Sequence, residues 1–167
     1  MKPLIAVVGH GKNAGPIHIK LAENIGRLIA KKGGVLLCGG KAEGVMDAAA
    51  KGASEQGGIV VGILPGSDKS KTSKFLTVPI LTGMGFARNQ ILGFSCDAMI
   101  VVGGGVGTLT EVAYAYACEK PIIYLKPGNG LVEQFSGKYM DEKKTVKILE
   151  ANDPEEAVEM AFKLANK

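Results

Sequence analysis

Short unbroken apolar runs alternate along the chain with longer stretches in which apolar residues recur every three or four positions. Unbroken runs suit strands covered on both faces, and the 3.6-residue period suits helices laid over them. The alternation therefore predicts a parallel sheet with crossover helices. Strands are expected at residues 4–8, 35–38, 59–64, 98–102 and 122–125, with an edge strand at 76–81 and a last one at 146–149. Ile17, Leu21, Ile25, Leu28 and Ile29 mark a first helix that stops at Gly33-Gly34, and Pro16 suits its first turn. Further helices are expected at 45–54, 86–94 and 108–118, with a short one at 131–138. A closing helix opens with Asp153 as N-cap, Pro154 at the first position and Glu156 completing a capping box. The polar stretch 67–74 reads as a loop. No repeat or linker divides the chain, so residues 1–167 are expected to form a single doubly wound α/β domain.

Composition changes this picture in one respect. The chain has 167 residues and 24 are glycine, about twice the usual share of roughly 7%. With 46% hydrophobic residues, 7 prolines and no G-X-Y period, collagen-like and disordered classes are excluded. The net charge of +4 is dispersed. Lys69, Lys71 and Lys74 form one dense patch, and Lys143, Lys144 and Lys147 another. Neither is interleaved with aromatics, so both read as solvated loops and no nucleic-acid partner is expected. An anionic small ligand fits the balance. Cys38, Cys96 and Cys118 show no CxxC spacing and no histidine nearby in sequence, which points away from disulfides and metal ligands. The start, MKPLIAVVGHG, has too short an apolar run for a signal peptide, and no run approaches about 18 residues. No membrane partner and a cytoplasmic location are expected.

The glycines cluster just after the expected strands: Gly9-His10-Gly11, Gly39-Gly40, Pro65-Gly66, Gly103-Gly104-Gly105-Val106-Gly107 and Pro127-Gly128. In a parallel sheet the carboxyl ends of the strands form the ligand edge, and a crevice opens where the strand order reverses. In a Rossmann-like order the strand at 4–8 neighbours the one at 98–102, so their two glycine loops share that crevice. A helix beginning near Thr108 turns unpaired N–H groups and its positive dipole end toward it. A phosphate is the expected occupant. Standard dinucleotide and P-loop motifs do not account for these loops. Gly9-His10-Gly11-Lys12-Asn13-Ala14-Gly15 is one residue too long for GxGxxG, and Cys38-Gly39-Gly40 stands where an acidic residue would hold NAD ribose. No GxxxxGK[ST] occurs.

The run Gly104-Gly105-Val106-Gly107-Thr108-Leu109-Thr110-Glu111 resembles the PGGxGTxxE mark of LOG-type proteins, a family often labelled lysine decarboxylase-like. The similarity covers most of the chain. Val7-Val8-Gly9 is similar to the family's first strand and loop, Gly39-Gly40 with Gly44-Val45-Met46 to its GGG…GLM segment, and Ile63-Leu64-Pro65 to its third strand. The best-characterised members hydrolyse nucleoside 5′-monophosphates to base and ribose 5-phosphate. The same superfamily includes molybdenum cofactor carrier proteins, which are close to this length and bind without evident chemistry.

In the hydrolases an arginine before the glycine motif and the motif's last glutamate form the catalytic pair; Arg88 and Glu111 match those positions. Two departures, Gly103 for the motif proline and Asn89 for the lysine after the arginine, shift weight toward the carrier-like branch. The decarboxylase label has no chemical support, because no pyridoxal-phosphate lysine motif is recognisable. The resemblance also implies a homodimer or homotetramer, as does the apolar character of residues 112–118.

The expected binding set is Gly9, His10, Gly11, Gly39, Gly40, Asn89, Gly103, Gly104, Gly105, Val106, Gly107 and Thr108, with no required cofactor and no metal. The ligand is expected to be a nucleoside monophosphate or a molybdopterin-type compound. Several of these residues have plainer readings. Glu111 also completes a capping box with Thr108, returning to that residue's N–H. Arg88 is either a surface group covering Phe86, Ile91 and Leu92 with its stem or a fork for phosphate. Thr108 is expected as N-cap and hydroxyl donor, His10 as a ligand contact, and His18 as a surface residue. The residues alone leave the two readings of Glu111 open; the resemblance favours the site role.

Overall fold

Strands without polar alternation need cover on both faces, and the chain supplies it from two layers of helices. The computed structural model describes residues 1–165. In chain order the elements are β1 (Leu4–Gly9), α1 (Pro16–Lys31), β2 (Val35–Cys38), α2 (Gly44–Ser54), β3 (Ile59–Leu64), β4 (Val78–Leu81), α3 (Asn89–Ser95), β5 (Ala98–Val102), α4 (Val106–Ala117), β6 (Ile122–Leu125), β7 (Leu149–Ala151) and α5 (Pro154–Ala165). Short 3₁₀ turns occupy Gly85–Arg88 and Leu131–Phe135. The strands form one seven-stranded sheet in the order β4-β3-β2-β1-β5-β6-β7, and every pairing is parallel. This is the doubly wound α/β fold.

Alternate residues of each strand enter opposite cores. Ile5, Val7 and Ile100 face α1, α2 and α5. Ala6, Val8, Met99 and Val101 face α3 and α4. The α1–α2 contact is unusually close, because a Cβ on Gly26 or Gly52 would run into the carbonyl of Ala49 or Glu23. Part of the glycine excess therefore serves helix packing and not a ligand edge.

The predicted elements shift in places. The last strand is Leu149–Ala151 instead of 146–149, and the edge strand is only Val78–Leu81. The helix expected at 86–94 divides into a 3₁₀ turn followed by α3, and the expected helix at 131–138 is a 3₁₀ turn. Asp153 caps α5 through Glu156 N–H at 2.8 Å, while the Glu156 carboxylate accepts from Asn152 N–H, one residue before the cap. His18 is buried, contrary to expectation: its Nδ1 accepts the Gly15 N–H at 3.0 Å and so closes the start of α1. Cys38 and Cys96 are buried, whereas Cys118 is exposed.

Candidate functional site

β1 and β5 lie side by side, but the helices that follow them leave to opposite faces: α1 joins one core and α4 the other. This is the switch point, and the loops after β1, β2, β3 and β5 surround a cleft of about 360 Å³ there. Gly9, Gly11, Gly39, Arg88, Asn89, Gly105, Gly107, Thr108 and Glu111 line it, together with Lys41, Met46, Pro65 and Phe86.

The glycine motif forms the start of α4. Gly105 is the N-cap and contributes no side-chain cap, so the first N–H groups of α4 keep no partner from that residue. The Thr108 hydroxyl donates to the Gly9 carbonyl at 3.0 Å, binding the β5 loop to the end of β1. Thr108 is thus three residues beyond the cap, and its expected N-cap role is corrected. The same phase removes the capping-box reading of Glu111. Thr108, Glu111 and Val112 fall on one buried face of α4, and Glu111 meets Arg88.

Arg88 closes the 3₁₀ turn before α3. Only 8% of it is exposed, and Nη1 lies 3.3 Å from the Glu111 carboxylate. That distance makes an ion pair, yet the geometry is not that of a hydrogen bond, and Nη1 is buried without a hydrogen-bond acceptor. Gly39 leaves the room for the guanidinium: a Cβ there would lie 2.6 Å from Nη1 and 2.8 Å from Nη2. Burial pushes the Glu111 carboxyl up to about 7, against the pull of Arg88 and Lys41. Cys38 lies within the field of this pair, but burial pushes its thiol up to about 12, so it is no nucleophile at neutral pH.

Asn89 is buried and props α4, with its amide donating to the Gly107 carbonyl at 3.4 Å and the Thr110 hydroxyl at 3.3 Å. Gly103, where the family's motif has proline, has φ of 64°, a value proline cannot adopt.

Five expected residues do not line the cleft: His10, Gly40, Gly103, Gly104 and Val106. The His10 ring turns away, with Nε2 3.1 Å from the Asn129 carbonyl and the His18 ring 4.6 Å off. Gly40 anchors the 67–74 loop by accepting Ser73 N–H, and Gly104 accepts Leu131 N–H. Val106 stands in solvent at the helix start. Sequence reasoning passed over Lys41, whose only signal was its place directly after Gly39-Gly40.

The model of the SLOG cluster4 family matches residues 2–158. A cytokinin riboside 5′-monophosphate phosphoribohydrolase of Mycobacterium tuberculosis is 34% identical over 68% of this chain and 67% of its own. The solved structure of the molybdenum cofactor binding protein of Rippkaea orientalis superposes with a TM-score of 0.86 at 37% identity, over 98% of this chain and 97% of that one. The molybdenum cofactor carrier protein of Chlamydomonas reinhardtii superposes with a TM-score of 0.87 at 36% identity, with both chains covered in full.

Proposed function

The chain belongs to the SLOG cluster4 family, and we propose that it binds a phosphate-bearing, nucleotide-like cofactor of the molybdopterin type and carries it unchanged. One observation carries this reading. The buried Arg88 guanidinium, ion-paired with Glu111, keeps an Nη1 without a hydrogen-bond acceptor beneath an open cleft, below a helix start with free N–H groups. An unsatisfied buried donor costs about 1–3 kcal/mol, and a ligand oxyanion removes that cost. The phosphate would rest on the backbone of Gly105–Thr108, where the α4 dipole favours negative charge. Glu111, with its proton held to about pH 7, would donate to a ligand oxygen below that pH and accept above it. Full-length likeness to two proteins named for the molybdenum cofactor supports the carrier role.

A second reading rests on the Arg88–Glu111 pair itself. A carboxylate titrating near neutrality beside a fixed cation suits general-base activation of water for cleavage of an N-glycosidic bond. The water oxygen would bond to ribose C1′ as the base departs with the bonding electrons and takes up a proton. Arg88 would hold the phosphate or stabilise Glu111 in its charged form.

One experiment separates the two. The purified protein is incubated with molybdopterin and with a panel of nucleoside 5′-monophosphates; binding is measured by titration and free base by chromatography. Molybdopterin binding that weakens at least tenfold in Arg88→Ala, with no base released, supports the carrier. Base release that stops in both Arg88→Ala and Glu111→Gln replaces it with the hydrolase. If no phosphate compound binds, both readings fall.

A further inference from the structure

Lys41 lines the main cleft and also two concavities beside it. One, of about 300 Å³, is walled by Leu64, Pro65, Gly66, Asp68, Ser70 and Lys71. The other, of about 360 Å³, is walled by Lys12, Ala42, Glu43 and Lys71. Three lysines from three separate loops therefore meet at one end of the cleft. Backbone contacts fix two of them: Lys41 bridges Thr72, Ala42 N–H donates to the Lys71 carbonyl at 3.0 Å, and Ser73 N–H to the Gly40 carbonyl at 2.9 Å.

Two carboxylates face these lysines, with Asp68 in the field of Lys71. Asp68 accepts Ser70 N–H at 2.8 Å within its own turn, and Glu43 lies 3.8 Å from Lys41. Among the described residues, neither Lys12 nor Lys71 forms a salt bridge within 4 Å. In sheet order the end of β2 lies two strands from the end of β5, and the end of β3 lies three. At about 4.8 Å per strand, the backbone that carries Lys41 and Lys71 lies roughly 10–15 Å along the sheet edge from β5, while Lys12 follows the adjacent β1. A ligand whose phosphate rests at the start of α4 and which extends along the sheet edge would bring its other end to Lys41 and Lys71.

Resting on the phosphate site argued above, we propose that Lys12, Lys41 and Lys71 hold a second anionic group of the same ligand, so the protein selects compounds that are anionic at both ends. The ligand class is a nucleotide-like monophosphate with a carboxylate, phosphoryl or other oxyanion at the end remote from its phosphate. Lysine suits this role, since its compact charge on a flexible stem accepts an oxyanion without demanding a fixed fork geometry.

The test titrates the full chain at low ionic strength with two probes, AMP and AMP bearing a succinate on N6. The succinylated probe is expected to bind about tenfold tighter, and the preference is expected to shrink as salt is added. In Lys12→Ala/Lys71→Ala the two probes should bind within about twofold of each other, with AMP affinity kept. Lys12→Arg/Lys71→Arg should restore the preference. Equal affinities in the wild type, or a preference that survives both alanines, overturn the second site while AMP binding leaves the phosphate site standing. Failure of both probes to bind overturns this inference, while the molybdopterin titration above decides the phosphate site separately.

Discussion

Arg88 and Lys41 line the same cleft, and both carry a positive charge, but the fold treats them differently. Arg88 is 8% exposed, paired with a buried carboxylate and given its space by the missing side chain of Gly39. The Lys41 side chain is a third exposed, and its nearest carboxylate is 3.8 Å away. The floor of the cleft is thus set by packing, where a change of one atom is felt by the whole domain. The rim is set by solvent, where a change alters only what is offered to a ligand. Substitutions at the two levels should separate accordingly.

The largest effect is expected at the floor. In Gly39→Val the new side chain meets the Arg88 guanidinium and Met46, so about 1–3 kcal/mol of stability should be lost, together with anion binding. Urea unfolding measures the first and titration with a phosphate ligand the second; a Gly39→Val variant as stable as wild type would sever the link drawn between Gly39 and Arg88.

Glu111 gives the next effect, and its sign follows from the raised carboxyl. Between the unfolded value near 4.5 and the folded value of about 7, the folded protein binds more protons. Stability from this group is complete below about pH 4.5 and declines as pH rises through 7, by an amount on the order of 3 kcal/mol. Unfolding measured at pH 5 and pH 8 should show that decline in the wild type, and Glu111→Gln should flatten it.

The smallest effect belongs to the rim. Lys12→Ala and Lys71→Ala should each leave the unfolding free energy within about 0.5 kcal/mol of wild type, as surface substitutions do. A loss beyond about 1 kcal/mol would mean that the rim is structural after all.

Much of the floor was legible in the sequence, and for a physical reason. Unbroken apolar runs ending in glycine state both that a strand is buried and where its ligand edge lies, and β1 and β5 do pair as that pattern required. The family resemblance carried by the glycine loop after β5 led to Arg88 and Glu111, which the fold brings within 3.3 Å from a 3₁₀ turn and from α4. Helix phase was harder to read. Gly105 starts α4 before Thr108, and that offset of one turn exchanges a cap for an inward-facing pair. His10 misled because its loop position fixes the backbone only; the ring found Asn129 and His18 instead of the cleft. Lys41 and Lys71 are thirty positions apart in the sequence. Their meeting depends on a single antiparallel bridge between loops that no local periodicity announces.

The bond from the Thr108 hydroxyl to the Gly9 carbonyl adds a side-chain tie at the ligand edge, where the β1–β5 pairing that joins the two halves of the sheet comes to its end. Mechanically it is a clasp across the mouth of the crevice. A cleft clasped in this way keeps its aperture, so a ligand of the proposed kind would be admitted by fitting the gap and not by prying it open.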